Sequence, residues 1–232
     1  MRRMIVLALC GIVVSSALAH GQWPPERLQN LKVLPSDIPI RALVDTMAGF
    51  TRALGVRCTY CHVGNEAADL ANADGIVFPG VANFGYLADE LDRREVRAPL
   101  CAAIRSGIPY LGICAGLHIL FENSAERPGA AGLGIFPGTV ERLEARKLPH
   151  MGWNQVIPHI KSSSDWAYFA HSFAVPADAR GVCATTDHDL PFASIVAEGS
   201  IMGVQFHPER SGAYGLRVLS EFVANASVSY AR

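Results

Sequence analysis

Cys114 lies in the run Gly112-Ile113-Cys114-Ala115-Gly116, between an apolar stretch, Pro109 to Ile113, that reads as a buried strand and a segment that reads as the start of a helix. A cysteine on such a strand-to-helix turn is the thiol counterpart of a nucleophile elbow. The glycines permit the sharp turn, and the start of the helix favours a thiolate. An isolated cysteine is more simply a buried core thiol, but a second motif follows 93 residues later: Gly203-Val204-Gln205-Phe206-His207-Pro208-Glu209-Arg210-Ser211. There His207 can take and return a proton while Glu209 accepts its other N–H and holds the ring in one tautomer. Cys114, His207 and Glu209 together describe acyl transfer through a thioester, with a carbonyl carbon as the point of attack. Such chemistry also needs donors for a tetrahedral oxyanion. Gly80, Val81 and Ala82, in a turn that follows an apolar strand, supply backbone N–H groups, and the amide of Ala115 supplies another.

A different chemistry is written at Cys58-Thr59-Tyr60-Cys61-His62. This is the C-x-x-C-H pattern through which haem c is attached by two thioethers, with His62 as an axial iron ligand. The plainer alternative is a pair of ordinary thiols beside a surface histidine. No other metal site is expected, and the thioester chemistry needs no cofactor. The six cysteines do not describe a disulfide framework: Cys10 falls in an apolar leader, three belong to the two motifs, and Cys101 and Cys183 remain.

The elements that must position these residues follow from periodicity. Arg2 and Arg3 precede an apolar run, Met4 to Val14, followed by Ala17-Leu18-Ala19, the layout of a secretory signal peptide over residues 1–19. The alternative is a buried first strand made from Met4 to Val14. Leu43, Met47, Phe50 and Leu54 share one face of a short amphipathic helix that ends at Gly55. From Asn72 onward strands and helices alternate: strands over 75–78 and 109–113, a helix over 87–105, and another beginning over 117–122. Further strands are predicted over 138–143, 166–172, 181–186, 192–197 and 201–206, with a closing helix over 216–224. This alternation predicts an α/β fold with a parallel sheet and helices on its faces. Lys+Arg 20 against Asp+Glu 21 gives a net charge of -1, which offers no basic field for nucleic acid and points to small-molecule or protein partners.

Two resemblances sharpen this reading. Ala73 to Val81, Leu111 to Cys114, Gly132-Leu133-Gly134, Pro149-His150-Met151-Gly152-Trp153-Asn154 and Tyr168 to Ser172 resemble the class I glutamine amidotransferases, and in particular the glutaminase subunit of imidazole glycerol phosphate synthase. The resemblance implies a flavodoxin-like sheet and hydrolysis of glutamine. It also implies delivery of the ammonia to a cyclase subunit in a heterodimer for histidine biosynthesis. By the same resemblance Trp153, Asn154 and Arg210 lie near the partner interface, and His118 stands where the family usually has a glutamine that helps bind substrate. Ala115 replaces a common leucine, and Ala82 replaces a glycine of the oxyanion turn. The family's usual N-terminal strand, helix and strand have no counterpart before Ala73, so the sheet is expected to have an unpaired edge unless Met4 to Val14 substitutes. Residues 1–65 resemble instead small exported c-type cytochromes related to the reaction-centre cytochrome subunit.

The resulting organisation is a signal-like helix over 1–19, a truncated cytochrome-like segment over 20–66 and a glutamine amidotransferase domain over 68–232. Three accounts follow: an amidotransferase subunit with a replaced N-terminus, an exported haem protein for electron transfer, or an inactive fusion of two truncated genes. The first implies the cytoplasm, and the leader argues for export.

Overall fold

The computed structural model describes residues 4–6, 70–80, 82–160 and 163–228. The amphipathic helix expected around 43–54 lies outside the described residues, as do most of the leader and the whole C-x-x-C-H motif.

The main sheet has eight strands. In chain order they are β1 (Met4–Val6), β2 (Gly75–Gly80), β3 (Tyr110–Cys114), β6 (His150–Pro158), β7 (Asp165–His171), β9 (Val182–His188), β10 (Leu190–Glu198) and β11 (Ile201–Val204). Their spatial order is β1-β2-β3-β11-β10-β9-β6-β7. The first four pair in parallel and the rest are antiparallel, so the expected parallel sheet is in fact mixed. A small second sheet joins β4 (Phe121–Ser124), β5 (Phe136–Arg142) and β8 (Phe173–Ala174). The helices are α1 (Phe84–Arg93), α2 (Arg97–Arg105), α3 (Ala115–His118) and α4 (Gly212–Val228).

Strand periodicity divides the core in two. Ile76, Phe78 and Tyr110 turn to one side, where α1 and α2 bury Leu87, Leu91, Leu100 and Ile104. Val77, Leu111, Ile113 and Val204 turn to the other, where α4 buries Leu219 and Phe222. Both faces of the central strands are therefore covered, which explains why 75–80 and 110–114 read as continuous apolar runs.

Two expectations about helices are corrected, and one alternative is taken up. Met4–Val6, open to either a leader or a substitute first strand, form a strand in register with β2, Met4 opposite Gly75 and Val6 opposite Val77. Over those three pairs the edge expected to lie open is closed. The helix expected over 87–105 is two helices, broken where Glu95 takes a left-handed φ of 57° and Val96 N–H turns back to Leu91 C=O at 3.0 Å. The break lets each short helix bury its own apolar face. The helix expected to begin over 117–122 stops at His118, because the following carbonyls are taken by a neighbouring segment. Ile119, Leu120 and Glu122 accept from Leu133, Ile135 and Gly132, and Phe121 stacks on Phe136 at 5.6 Å. Pairing with β5 thus outcompetes helix propagation. Strand β6, the longest with β10, occupies the Pro149-to-Asn154 stretch for which no element was predicted.

Candidate active site

Cys114 ends β3 with φ 54° and ψ -110°, a left-handed conformation that a non-glycine residue takes only where its surroundings impose it. What imposes it is the close fit of α3 on the sheet. A Cβ at Gly116 would fall on the Phe78 carbonyl oxygen, and the buried Tyr110 hydroxyl donates to Gly116 C=O at 2.9 Å. Gly80 is opposite Cys114 in the β2–β3 register, and a Cβ there would come within 2.8 Å of Ala115 Cβ. The end of β2 and the start of α3 therefore meet at the thiol, the place where donors to a developing oxyanion must stand. Gly80 and Ala115 are both buried and Ala82 is half-buried, whereas Val81 lies outside the described residues.

His207 follows the last parallel strand and caps a 3-10 turn, Pro208–Arg210. Its backbone is anchored from two sides: His207 N–H donates to Tyr168 C=O at 2.8 Å, and Ser211 Oγ donates to His207 C=O at 2.7 Å. The turn brings Glu209 round so that its Oε1 accepts from His207 Nδ1–H at 2.8 Å. That bond assigns the proton to Nδ1 and leaves Nε2 for the reaction. Nε2 is buried, has no hydrogen-bond partner of ordinary geometry and interacts with the Cys114 thiol. Burial alone would make the imidazole harder to protonate, but Cys114 and Glu209 outweigh it and raise its pKa to about 10. A buried cation of this kind is the natural counterion of a thiolate. Glu209→Ala is expected to lower kcat for glutamine hydrolysis by about 10²- to 10⁴-fold, because the ring loses its tautomer and orientation. Steady-state ammonia release is the check, and an unchanged kcat would contradict the role.

The other predicted residues fall at different distances from this centre. His118 is only 4 % exposed, and its Nε2 bonds Gln205 Oε1 at 2.7 Å. Trp153 is 54 % exposed on the outer face of the β6–β7 hairpin and stands opposite Tyr168, over whose ring the Arg210 guanidinium lies at 3.7 Å. Met151, Ile157 and Trp166 extend this apolar surface. Asn154 alternates to the other face: its Nδ2 donates to Asp187 C=O at 2.8 Å and meets His150 Nε2 at 3.2 Å. It ties β6 to β9. Cys58, Cys61 and His62 lie outside the described residues.

Gln205, two residues ahead of the His-Pro-Glu triplet, is completely buried and its Nε2 donates to Cys114 Sγ at 3.7 Å. Its place two residues before His207, just past the end of β11, the strand beside β3, is a signal that sequence spacing contained.

The profile of the family described as glutamine amidotransferase class-I matches residues 44–226. The chain belongs to this family. The match begins inside the segment read as cytochrome-like, ahead of the boundary expected near residue 68. Among relatives of this amidotransferase, imidazole glycerol phosphate synthase subunit HisH of Pyrococcus furiosus is 42% identical over 171 residues, covering 69% of this chain and 87% of the relative. HisH of Deinococcus radiodurans is 37% identical over 207 residues, covering 81% and 96%. The amidotransferase thus belongs to the HisH family as well. A solved glutamine amidotransferase structure superimposes with a TM-score of 0.64 at 18% identity, over 96% of this chain and 99% of that one, which supports the fold.

Proposed function

We propose that this amidotransferase is the glutaminase subunit of an imidazole glycerol phosphate synthase, hydrolysing glutamine to glutamate and ammonia for a cyclase partner in histidine biosynthesis. The observation that carries this is the Cys114–His207–Glu209 constellation on a strained elbow. The Cys114 thiolate adds to the carboxamide carbon, and the negative charge that develops on oxygen is met by N–H groups of Ala115 and the turn after Gly80. His207 Nε2 gives its proton to the departing nitrogen, so that ammonia leaves and a glutamyl thioester remains. Water then loses a proton to His207 as its oxygen bonds the acyl carbon, and the carbon–sulfur bond breaks to release glutamate and the thiolate. Glu209 holds the ring throughout and stabilises its charged form.

The ammonia must reach the partner without dilution, which requires a face that docks. Met151, Trp153 and Trp166, flanked by the Arg210–Tyr168 pair, form an exposed apolar patch of the composition that anchors protein interfaces. Trp153→Ala is expected to weaken binding of the cyclase subunit by about 30-fold or more. Glutamine-dependent synthesis at limiting subunit concentration, titrated against the wild type, is the test of the proposed function. An unaltered affinity would remove Trp153 from the interface, and a lack of any glutamine-dependent product with the cyclase would overturn the reading.

Cytoplasmic action fits a pathway that runs there, and it fits the use of Met4–Val6 in the sheet. The intact mass of the purified protein is expected to include these residues. Loss of residues 1–19 from the active protein would favour export.

A further inference from the structure

Gln205 and His118 form a contact that the catalytic sequence above does not use. His118 is four residues beyond Cys114, one helical turn away on the same side of α3, and Gln205 directly follows β11. The Gln205 side chain reaches both: Oε1 is 2.7 Å from His118 Nε2, and Nε2 is 3.7 Å from Cys114 Sγ. An amide oxygen can only accept, so His118 carries its proton on Nε2 and donates. The two ends of a glutamine amide are nearly alike in shape, and packing alone does not choose between them. With His118 in its Nε2–H tautomer, the imidazole donor makes the choice. Rotating the amide by half a turn would set its NH₂ against the imidazole N–H and its oxygen against the sulfur.

Resting on the reading of Cys114 as the nucleophile, we propose that His118 is a positioning residue: by donating to Gln205 Oε1 it keeps a Gln205 N–H aimed at Cys114 Sγ, where it stabilises the thiolate. Burial, opposed only by the bond to Gln205, lowers the His118 pKa to about 4. His118 is therefore a neutral donor throughout the physiological range and adds no second cation beside His207. An N–H directed at an anionic sulfur favours that form over the thiol, so removing it shifts the thiolate population at a given pH.

The test is alkylation of Cys114 by iodoacetamide in the full-length chain, followed by peptide mass across pH 5 to 9. His118→Phe, which keeps a ring but loses the donor, is expected to move the midpoint of the rate profile upward and to slow alkylation at pH 7 by about three- to tenfold. His118→Gln restores a donor and returns the midpoint toward the wild-type value. Gln205→Met, which removes the amide and keeps a buried chain of similar length, is expected to shift the midpoint by itself and to make it insensitive to the residue at 118. A wild-type profile in His118→Phe overturns the proposal, and if that variant does not fold, a wild-type profile in Gln205→Met overturns it. Should wild-type Cys114 react no faster than the free thiols Cys101 and Cys183, the nucleophile reading itself fails and takes this one with it.

Discussion

Cys114→Ala is expected to lower glutamine hydrolysis by at least about 10⁴-fold, a loss of more than about 5 kcal/mol of transition-state stabilisation. The size follows from what the thiol does. It forms the covalent bond, and neither His207 nor the oxyanion donors have anything to act on without it. The residual rate is that of water attacking a bound carboxamide in a polarising site, a far weaker route. The substitution removes one sulfur atom at a position that is already strained, and alanine takes the left-handed φ of 54° no worse than cysteine. Unfolding is therefore not the expected outcome, and the melting temperature is the control. In complex with the cyclase, synthesis from added ammonia should persist while synthesis from glutamine disappears. Equal glutamine-dependent rates in wild type and variant would end the assignment of the nucleophile.

Acid is expected to destabilise the domain strongly between pH 6.5 and 4. Three buried histidines are held neutral. Burial lowers the pKa of His118 to about 4 against the pull of Gln205; burial and the neighbouring His188 lower that of His150 to about 4; burial and His150 hold His171 well below 6.5. The hydrogen bonds require this neutrality. His171 Nδ1–H donates to Phe173 C=O at 2.9 Å, so its Nε2 must accept from His150 Nδ1–H at 3.1 Å, and His150 Nε2 in turn accepts from Asn154. A proton added to His150 Nε2 would face an N–H.

Because these pKa values are lower in the folded state, the unfolded chain binds more protons over this window. The stability contribution is complete above about pH 6.5 and is lost as pH falls toward 4. For His118, a fall from 6.5 to about 4 corresponds to about 3 kcal/mol. A loss of that size at His118 alone is a large fraction of the stability of a typical domain, about 5–15 kcal/mol, and His150 and His171 act in the same direction. His207 acts with the opposite sign: its raised pKa contributes stability that is complete below about 6.5 and lost as pH rises toward about 10. Greatest stability is therefore expected near neutrality. Urea midpoints measured from pH 4 to 8 check this, with His118→Gln expected to flatten the acid limb by close to one proton. A midpoint independent of pH between 4 and 6.5 would contradict the neutral-histidine account.

Much of the catalytic site was legible in the residues. An elbow cysteine after an apolar strand, and a histidine two residues before a glutamate after another, are recognisable because each motif is short and sits at a strand end, although the contacts that hold both turns come from Phe78, Gly80 and Tyr168. The central strands were legible for a related reason, since burial on both faces leaves a continuous apolar run. Strand β6 was not, because its side chains alternate between the exposed apolar face carrying Trp153 and an inner face carrying His150 and Asn154, and neither reads as a simple core pattern.

What only the tertiary structure decided lies where partners come from distant positions. Met4–Val6 can be leader or strand by composition, and the free edge of β2 makes them a strand. Leu117 to Glu122 has helical periodicity, but the carbonyls beyond His118 bond the 132–136 segment. His118, Gln205 and Cys114 are linked across 87 and 91 positions of chain, and the orientation of one amide between them depends on a donor and an acceptor that no local pattern brings together. The sequence by itself determined which side chains are the candidates for the chemistry, because each lies in a short motif at the end of an apolar strand. The tertiary structure decided how those side chains are held, because long-range hydrogen bonds and sheet pairing settle between local alternatives that are close in energy.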